Sequence, residues 1–472
     1  MNLMTFILNV SIRLSTLSGV SSHTRFLFTL RSSSSKYHSL LLFRLSPSSH
    51  SPNDQLYVME SACPHLGADL SHAEIEEAIP EDHDGFGPPE VVAVCPWHRY
   101  DFDLRTGVSD TGLRACTYRV EIRGDEVWVE KPSLSEEWEL VELRPVSEDF
   151  ADPPPTAPHQ SASPPTALPE SDEPVVPSEN PPNSLIDWAI LILNTSNATL
   201  KVARTRYAVK AFSTGAIKSI GRSSTSHPPD IPPRDDTLRS VEPGKAAKRG
   251  KAGSLKSRIA MLHALANIEQ WAIDLAWDII ARFGKDSSLP HQFYSDFAKV
   301  ALDESKHFTL LVARIHALGS YYGAHPIHSA LWQSAVQTSS SLPSRLAIIH
   351  LVHEARGLDV NPATIAKFRQ AQDLDSVEIL EIIHNDEITH VTAGHRWFVW
   401  ECAKNGITQP GDVVEAFREE VRKGFRGEVK GPFNVEDRKK AGMGGEFYEE
   451  LRGEMDDVIQ VEKANVEIRY GT

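Results

Sequence analysis

The sequence predicts a multidomain protein, with an all-β domain followed by an all-α four-helix bundle. Three observations carry this expectation. Residues 37–143 hold short apolar runs, at 91–94, 118–122 and 127–129, between turn signals such as Arg123-Gly124-Asp125. From residue 184 onward, apolar residues recur at three- and four-residue spacing, over 257–283, 292–319, 342–357 and 376–404. Between the two lies a stretch, 151–182, with 11 prolines in 32 residues. Such a stretch cannot build a core and reads as an extended, semi-rigid linker. The expected parts are a β domain over 37–143, a Pro-rich linker over 144–183 and a helical domain over 184–472.

Composition narrows the function classes. The chain has 472 residues, is 40% hydrophobic and carries a formal net charge of −16. That argues against a globally basic nucleic-acid binder. Four cysteines are too few for a disulfide-built domain. No apolar run is long enough to cross a bilayer, so no membrane span is expected.

The charge is unevenly placed. Residues 1–53 contain no Asp or Glu and carry Arg13, Arg25, Arg31, Lys36 and Arg44. Arg-rich, Ser-rich and acid-poor is the composition of a mitochondrial transit peptide. Yet residues 25–30, 39–45 and 55–59 also read as strands. Residues 1–36 are therefore either a mitochondrial leader or the first strands of the β domain, and the location is mitochondrial or cytoplasmic. A second basic stretch, 201–258, reads as a loop with 14 Lys or Arg and 4 acidic residues.

Within the β region, Cys63-Pro64-His65-Leu66-Gly67 and Cys95-Pro96-Trp97-His98 each offer one thiol and one imidazole. One zinc ion in a Cys2His2 site is one reading. The other is a two-iron cluster, because zinc sites usually group Cys with Cys and His with His. The two motifs, with the Arg105-Thr106-Gly107 turn that follows, resemble the Rieske family over residues 37–132. The resemblance implies a [2Fe–2S] cluster with Cys63 and Cys95 on one iron and His65 and His98 on the other. It also implies that Leu66 and Trp97 shield the cluster from water. Arg99 stands where many Rieske proteins have glycine.

The helical region holds Glu304-Ser305-Lys306-His307 and Glu387-Ile388-Thr389-His390. Residues i and i+3 share a helix face, so each ExxH pair can grip one metal ion. Glu269 and Glu354 lie in apolar settings on two other helical segments. The order Glu, ExxH, Glu, ExxH, at spacings of 35, 50 and 33 residues, is the ligand set of ferritin-like di-iron carboxylate bundles. Glu269, Glu304, His307, Glu354, Glu387 and His390 are thus the expected ligands of two Fe ions, or of a Mn/Fe pair. Asp303 and Asp386 precede the two motifs and are candidates to orient the histidines across the bundle. His350 and His384 fall near the same helix face.

Three segments, 262–269, 354–359 and 431–434, resemble an uncharacterised ferritin-like family that is distantly similar to the tRNA-modifying di-iron hydroxylase. A Rieske cluster passes single electrons, and a di-iron site needs reduction before it meets O2. The expectation is an O2-dependent oxidoreductase of hydroxylase or monooxygenase type acting on a small molecule. No nucleotide-binding glycine motif is visible, so an external reductase is the expected donor. A non-catalytic iron-binding or redox-sensing protein is the alternative. An RNA-modifying hydroxylase is the second, motivated by the basic stretch.

Overall fold

The structure is a computed structural model that describes residues 10–45, 55–78, 90–146, 171–242 and 252–455. Three sheets form the N-terminal part. β1 (Ser11–Thr16), β10 (Glu126–Glu130) and β9 (Val120–Arg123) make one, in that order. β11 (Trp138–Pro145), β2 (Arg25–Ser32), β3 (Tyr37–Leu45), β4 (Gln55–Glu60) and β8 (Thr117–Tyr118) make the second. β5 (Glu74–Ala78), β6 (Glu90–Val94) and β7 (Asp101–Asp103) make the third. All pairings in these sheets are antiparallel.

β3 explains how this part meets the rest. Its run of apolar residues does not alternate with polar ones, the pattern of a strand covered on both faces. Leu40 and Leu42 face a small core inside the β domain, with Phe26, Phe28 and Leu30. Leu41 and Phe43 face a larger core shared with the helices. The same shared core takes in Cys63, Cys95 and Trp97. The two parts are therefore docked by packing, where the sequence suggested two bodies on a tether.

Of the two expectations for residues 1–36, the strands are what the structure shows for 11–16 and 25–32. Residues 1–9 lie outside the described residues. β2 sits between β11 and β3, so removing 1–36 takes a central strand away. The linker also begins later than expected. Residue 144 belongs to β11 rather than to a linker, because Arg144 pairs in register with Leu27. Much of the Pro-rich stretch and the acidic insertion at 80–84 lie outside the described residues. Residues 173–175 are held against the helices by Arg204, which donates to Glu173 Oε2 (3.0 Å) and Pro174 O (3.1 Å).

The C-terminal part is helical: α1 (Leu185–Leu193), α2 (Ala198–Ser213), α3 (Leu255–Phe283), α4 (His291–Ala317), α5 (Ala330–Gln337) and α6 (Leu342–Arg345). A π-helical segment (Leu346–His353) then runs into α7 (Glu354–Gln370). α8 (Leu374–Lys404), α9 (Pro410–Gly424), α10 (Val435–Lys440) and α11 (Gly445–Tyr448) follow. A short hairpin, β12 (Arg426–Glu428) with β13 (Arg452–Glu454), makes this part not purely α. Side-chain caps start the long helices: Ser254 accepts from Ser257 N at α3, and Asp373 from Ser376 N at α8. α3 packs on α4, α7 on α8, and α4 on α8.

The basic stretch at 201–258 is not a loop throughout, since α2 occupies part of it. Several of its charges are paired inside. Lys201 and Arg234 both reach Asp274, and Arg258 reaches Asp373 (2.9 Å). That weakens the RNA expectation, because a paired cation is not offered to phosphate.

Phe28 is fully buried in the β core. Phe28→Ala is expected to destabilise the protein by about 3–5 kcal/mol, read as a lower denaturation midpoint. An unchanged midpoint would show that β2 is not part of the folded unit.

Candidate metal centre

Four helical segments bring the predicted acidic and histidine residues together. Glu269 comes from α3, Glu304 and His307 from α4, Glu354 from the first residue of α7, and Glu387 and His390 from α8. Their ligand atoms form two overlapping groups, each within 4.8 Å. The first is Glu269, Glu304, His307 and Glu387; the second is Glu304, Glu354, Glu387 and His390. Glu304 and Glu387 belong to both groups, so they sit between two positions. Glu269 with His307, and Glu354 with His390, belong to one each.

Distances show how Glu304 is shared. Its Oε2 lies 3.3 Å from His307 Nδ1, and its Oε1 lies 3.1 Å from His390 Nδ1. Glu269 Oε2 is 3.6 Å from His307 Nδ1, and Glu387 Oε2 is 3.7 Å from His390 Nδ1. On the far side of the rings, His307 Nε2 donates to Asp386 Oδ2 (3.0 Å), while His390 Nε2 faces Asp303 Oδ2 at 3.5 Å. A carboxylate behind Nε2 orients the ring so that Nδ1 faces the cluster.

Electrostatics say what this cluster lacks. Glu304 and His307 are fully buried, and Glu269, Glu387 and His390 nearly so. Burial, and then the neighbouring Glu304, push the Glu269 carboxyl well above its ordinary range. Burial, with Glu387 and Glu304, does the same to Glu354. Burial opposes charge on Glu304 too, but His390 and His307 outweigh it and hold it ionised. Both histidines are pushed well up, because their carboxylate partners outweigh burial. Glu304 Oε1, Glu387 Oε2 and His390 Nδ1 have no hydrogen-bond partner. Orphaned, buried, anionic oxygens around inward-facing Nδ1 atoms fit divalent cations.

Two local features shape the centre beyond what the helical periodicity conveys. The π-helical segment just before Glu354 resets the register of the segment that carries it. Gly394, one turn beyond His390, touches this segment: a Cβ there would fall 2.4 Å from His350 O. His350 is buried beside the centre, and burial with Arg345 and His390 pulls it down to about 3. His384 points elsewhere, to Asp437 Oδ2 (3.0 Å).

The two Cys–His loops lie at the start of α4, near His291. Cys63 and Cys95 are buried, and their thiols form one hydrogen-bonded pair. Their mutual contact pulls Cys95 down to about 6 and, with burial, pushes Cys63 up. Backbone N–H groups of His65 and Leu66 point at the Cys63 sulfur, and those of Trp97 and His98 at Cys95. His65 Nδ1 and His98 Nδ1 face each other at 3.4 Å. Arg99 adopts the left-handed conformation (φ 61°) that glycine takes easily, and its guanidinium is held by Glu74 and Glu76. Trp97 is buried, and Leu66 is exposed on the surface of the first loop.

These loops rest on the helical part. Trp97 Nε1 donates to Phe212 O (3.0 Å), and its ring meets His291, the first residue of α4, at 4.5 Å between centroids. Gly215 (φ +76°) lies against the second loop, and a Cβ there would fall 2.8 Å from Pro96 O. A cavity of about 290 Å³ lies between the two parts, lined by Asp69, Arg144, Phe212, Lys299, Asp303 and Lys306 among others.

The helical part has relatives. The family described as "Protein of unknown function (DUF455)" matches residues 194–449. The chain belongs to this family. A relative in Haemophilus influenzae, described as an uncharacterized protein, is 34% identical over 245 residues, covering 50% of this chain and 81% of its own length. Within the matched residues, several polar side chains tie the C-terminal segment to the helices. Arg356 donates to Lys430 O (2.7 Å), Asn434 N donates to Asp359 Oδ1 (2.9 Å), and Arg438 forms a buried pair with Asp359 (2.7 Å). Together they fasten the C-terminal segment beneath α7.

Two solved structures cover 26% of the chain each. One is described as a nitrite reductase NADPH (small subunit) oxidoreductase protein: 18% identical, 98% of its length covered, TM-score 0.19. The other is described as an NADH-dependent nitrite reductase small subunit from Mycobacterium tuberculosis: 13% identical, 96% of its length covered, TM-score 0.20. Scores that low carry no conclusion about activity.

Metal uptake by this cluster must displace protons from Glu269, Glu354 and the two histidines. Isothermal titration in buffers of different ionisation enthalpy should therefore show proton release on binding divalent metal. Without metal, the same four raised groups favour the folded state at low pH. That contribution is lost as pH rises through their raised values, from the ordinary carboxylate range upward. The metal-free protein should melt progressively lower from neutral to alkaline pH, and the metal-loaded protein should not. Equal pH slopes would overturn this.

Proposed function

We propose that this chain is an iron-dependent oxidoreductase of hydroxylase or monooxygenase type. In this reading a Rieske-type [2Fe–2S] cluster is held by Cys63, His65, Cys95 and His98. The helical domain is a ferritin-like bundle with two irons on Glu269, Glu304, His307, Glu354, Glu387 and His390. When bound, the cluster supplies electrons singly and the two irons supply O2 activation.

The observation that carries the reading is the way each ligand set is divided. In the loops, thiol faces thiol and imidazole faces imidazole, which suits one iron with two sulfurs and one with two nitrogens. A single zinc would need all four atoms around one point. Among the described residues, the groups gathered that tightly are the two in the helices. There, two shared and two unshared glutamates with one histidine per position suit a pair of ions.

The chain's own residues have distinct tasks. Backbone N–H groups around the Cys63 and Cys95 sulfurs stabilise negative charge there, which raises a cluster potential. Trp97 excludes water and fixes the loops to the start of α4. From His291 to Glu304 is 13 residues of that helix, about 20 Å. One rigid element thus runs from the electron-carrying site to the oxygen-activating one. Glu304 and Glu387 offer charge to both irons, while Asp386 holds the proton on His307 Nε2. Exposed Pro64 and Leu66 beside His65 leave a face open to an external reductase. A small molecule is the substrate this arrangement suits.

The test is iron and sulfide analysis with electron paramagnetic resonance of the dithionite-reduced protein. About four irons and about two sulfides per chain are expected, with a Rieske signal and an integer-spin diferrous signal. Cys63→Ser should abolish the first signal and leave the second. Tightly bound zinc in the loops, or loss of both signals together in a folded variant, would overturn the reading.

A further inference from the structure

The two histidines of the metal centre are buttressed from different parts of the protein. Behind His307, Asp386 is held by Lys306 (2.6 Å), and both belong to the helical part. Behind His390, Asp303 is held by Arg144, which belongs to the last strand of the β domain. Arg144 donates to Asp303 Oδ2 through Nη1 (2.9 Å) and Nη2 (3.1 Å), the same oxygen that faces His390 Nε2 at 3.5 Å. Its Nη2 also donates to Thr389 Oγ1 (3.3 Å), inside the second ExxH motif. One guanidinium therefore touches the α4 motif and the α8 motif at once.

Arg144 is itself fixed. Its Nε donates to Glu142 Oε1 (2.6 Å), two residues earlier on the same strand, and Lys299 of α4 donates to that same oxygen (2.9 Å). The side chains of Glu142 and Asp303 are both more than nine-tenths buried. Lys299, Glu142, Arg144, Asp303 and His390 form a continuous chain of charged contacts across the domain boundary. Lys306 also reaches Asp303, on its other oxygen (3.3 Å), so Arg144 alone among these cations sets Oδ2.

The geometry points to Arg144 as a positioning residue through which the β domain controls one of the two metal positions, the one at Glu354 and His390. This rests on the di-metal reading above. Without Arg144, Asp303 keeps only Lys306 and is no longer aimed at His390. The imidazole then loses its orientation toward the ion, while His307 keeps Asp386 and Lys306. Buttressing residues behind a metal-bound histidine typically change metal affinity about 10–100-fold. The β domain would thus act on the oxygen-activating site as a structural part of it, besides any electron it delivers. Charge complementarity across a buried boundary also makes this contact specific to correct docking.

The experiment is Co(II) titration of the metal-free full-length protein, followed by visible absorption, in wild type, Arg144→Ala and Arg144→Lys. His307→Ala and His390→Ala serve as references for which position is filled. Wild type should take up two ions. Arg144→Ala should weaken one by about 10–100-fold, with the remaining spectrum resembling that of His390→Ala. Arg144→Lys keeps the charge but not the fork, and should weaken the same ion less. It is the variant to read if Arg144→Ala does not fold, as judged by circular dichroism and melting. Asp303→Asn should reproduce the single-ion loss, and combining it with Arg144→Ala should add little further. If wild type takes up two ions and the Arg144 variants leave both within about twofold, or shift both equally, the role assigned to Arg144 is wrong. If wild type does not take up two ions, the di-metal reading fails first.

Discussion

Burial of four carboxylates and two imidazoles in one small volume is the constraint on which the rest of the helical part depends. Removing like charges from water to such proximity costs several kcal/mol per ion. The chain offsets part of this without metal by splitting its proton affinities. Glu304 stays ionised between two raised histidines, while Glu269 and Glu354 are pushed toward the neutral form. What remains uncompensated is a set of orphaned oxygens and nitrogens aimed at two shared positions. A pair of divalent ions is the compensation that the donor chemistry suits.

Rigid surroundings are needed to hold such a cluster. Three long helices carry three of its four segments, two of them capped by Ser254 and Asp373, and the fourth is set by a π-helical stretch pressed against Gly394. The β domain completes the frame. β3 is apolar on both faces because one face closes the β core and the other the shared core. The Cys–His loops are consequently pinned, by Trp97 on Phe212 and His291 and by the tight fit of Gly215. Such docking fixes the distance between the Cys–His loops and the buried acidic cluster, since both parts share one core.

The residues proposed as metal ligands were legible because their pattern is local. An ExxH pair shows itself by helical spacing, and Cys-x-His by a single turn. The flanking Asp303 and Asp386 were legible as candidates for the same reason. Other contributions were not. Arg144 lies 159 positions from Asp303, and nothing in its neighbourhood marks it. Glu304 and Glu387 look no different from Glu269 and Glu354 in sequence, yet only the first two sit between both metal positions. Residues 346–353 read as ordinary apolar helix, and only the hydrogen-bonding pattern makes them π.

By itself, then, the sequence determined the two classes of domain, their order and the two sets of candidate ligand residues, because periodicity and short-range spacing act within one turn or one strand. The tertiary structure decided that residues 11–16 and 25–32 are strands, that the domains share a core, which glutamates fall in both acidic groups and which histidine faces the aspartate that Arg144 holds. Those outcomes depend on which faces are covered and by what. Such contacts join residues far apart in the chain, where no local pattern records them.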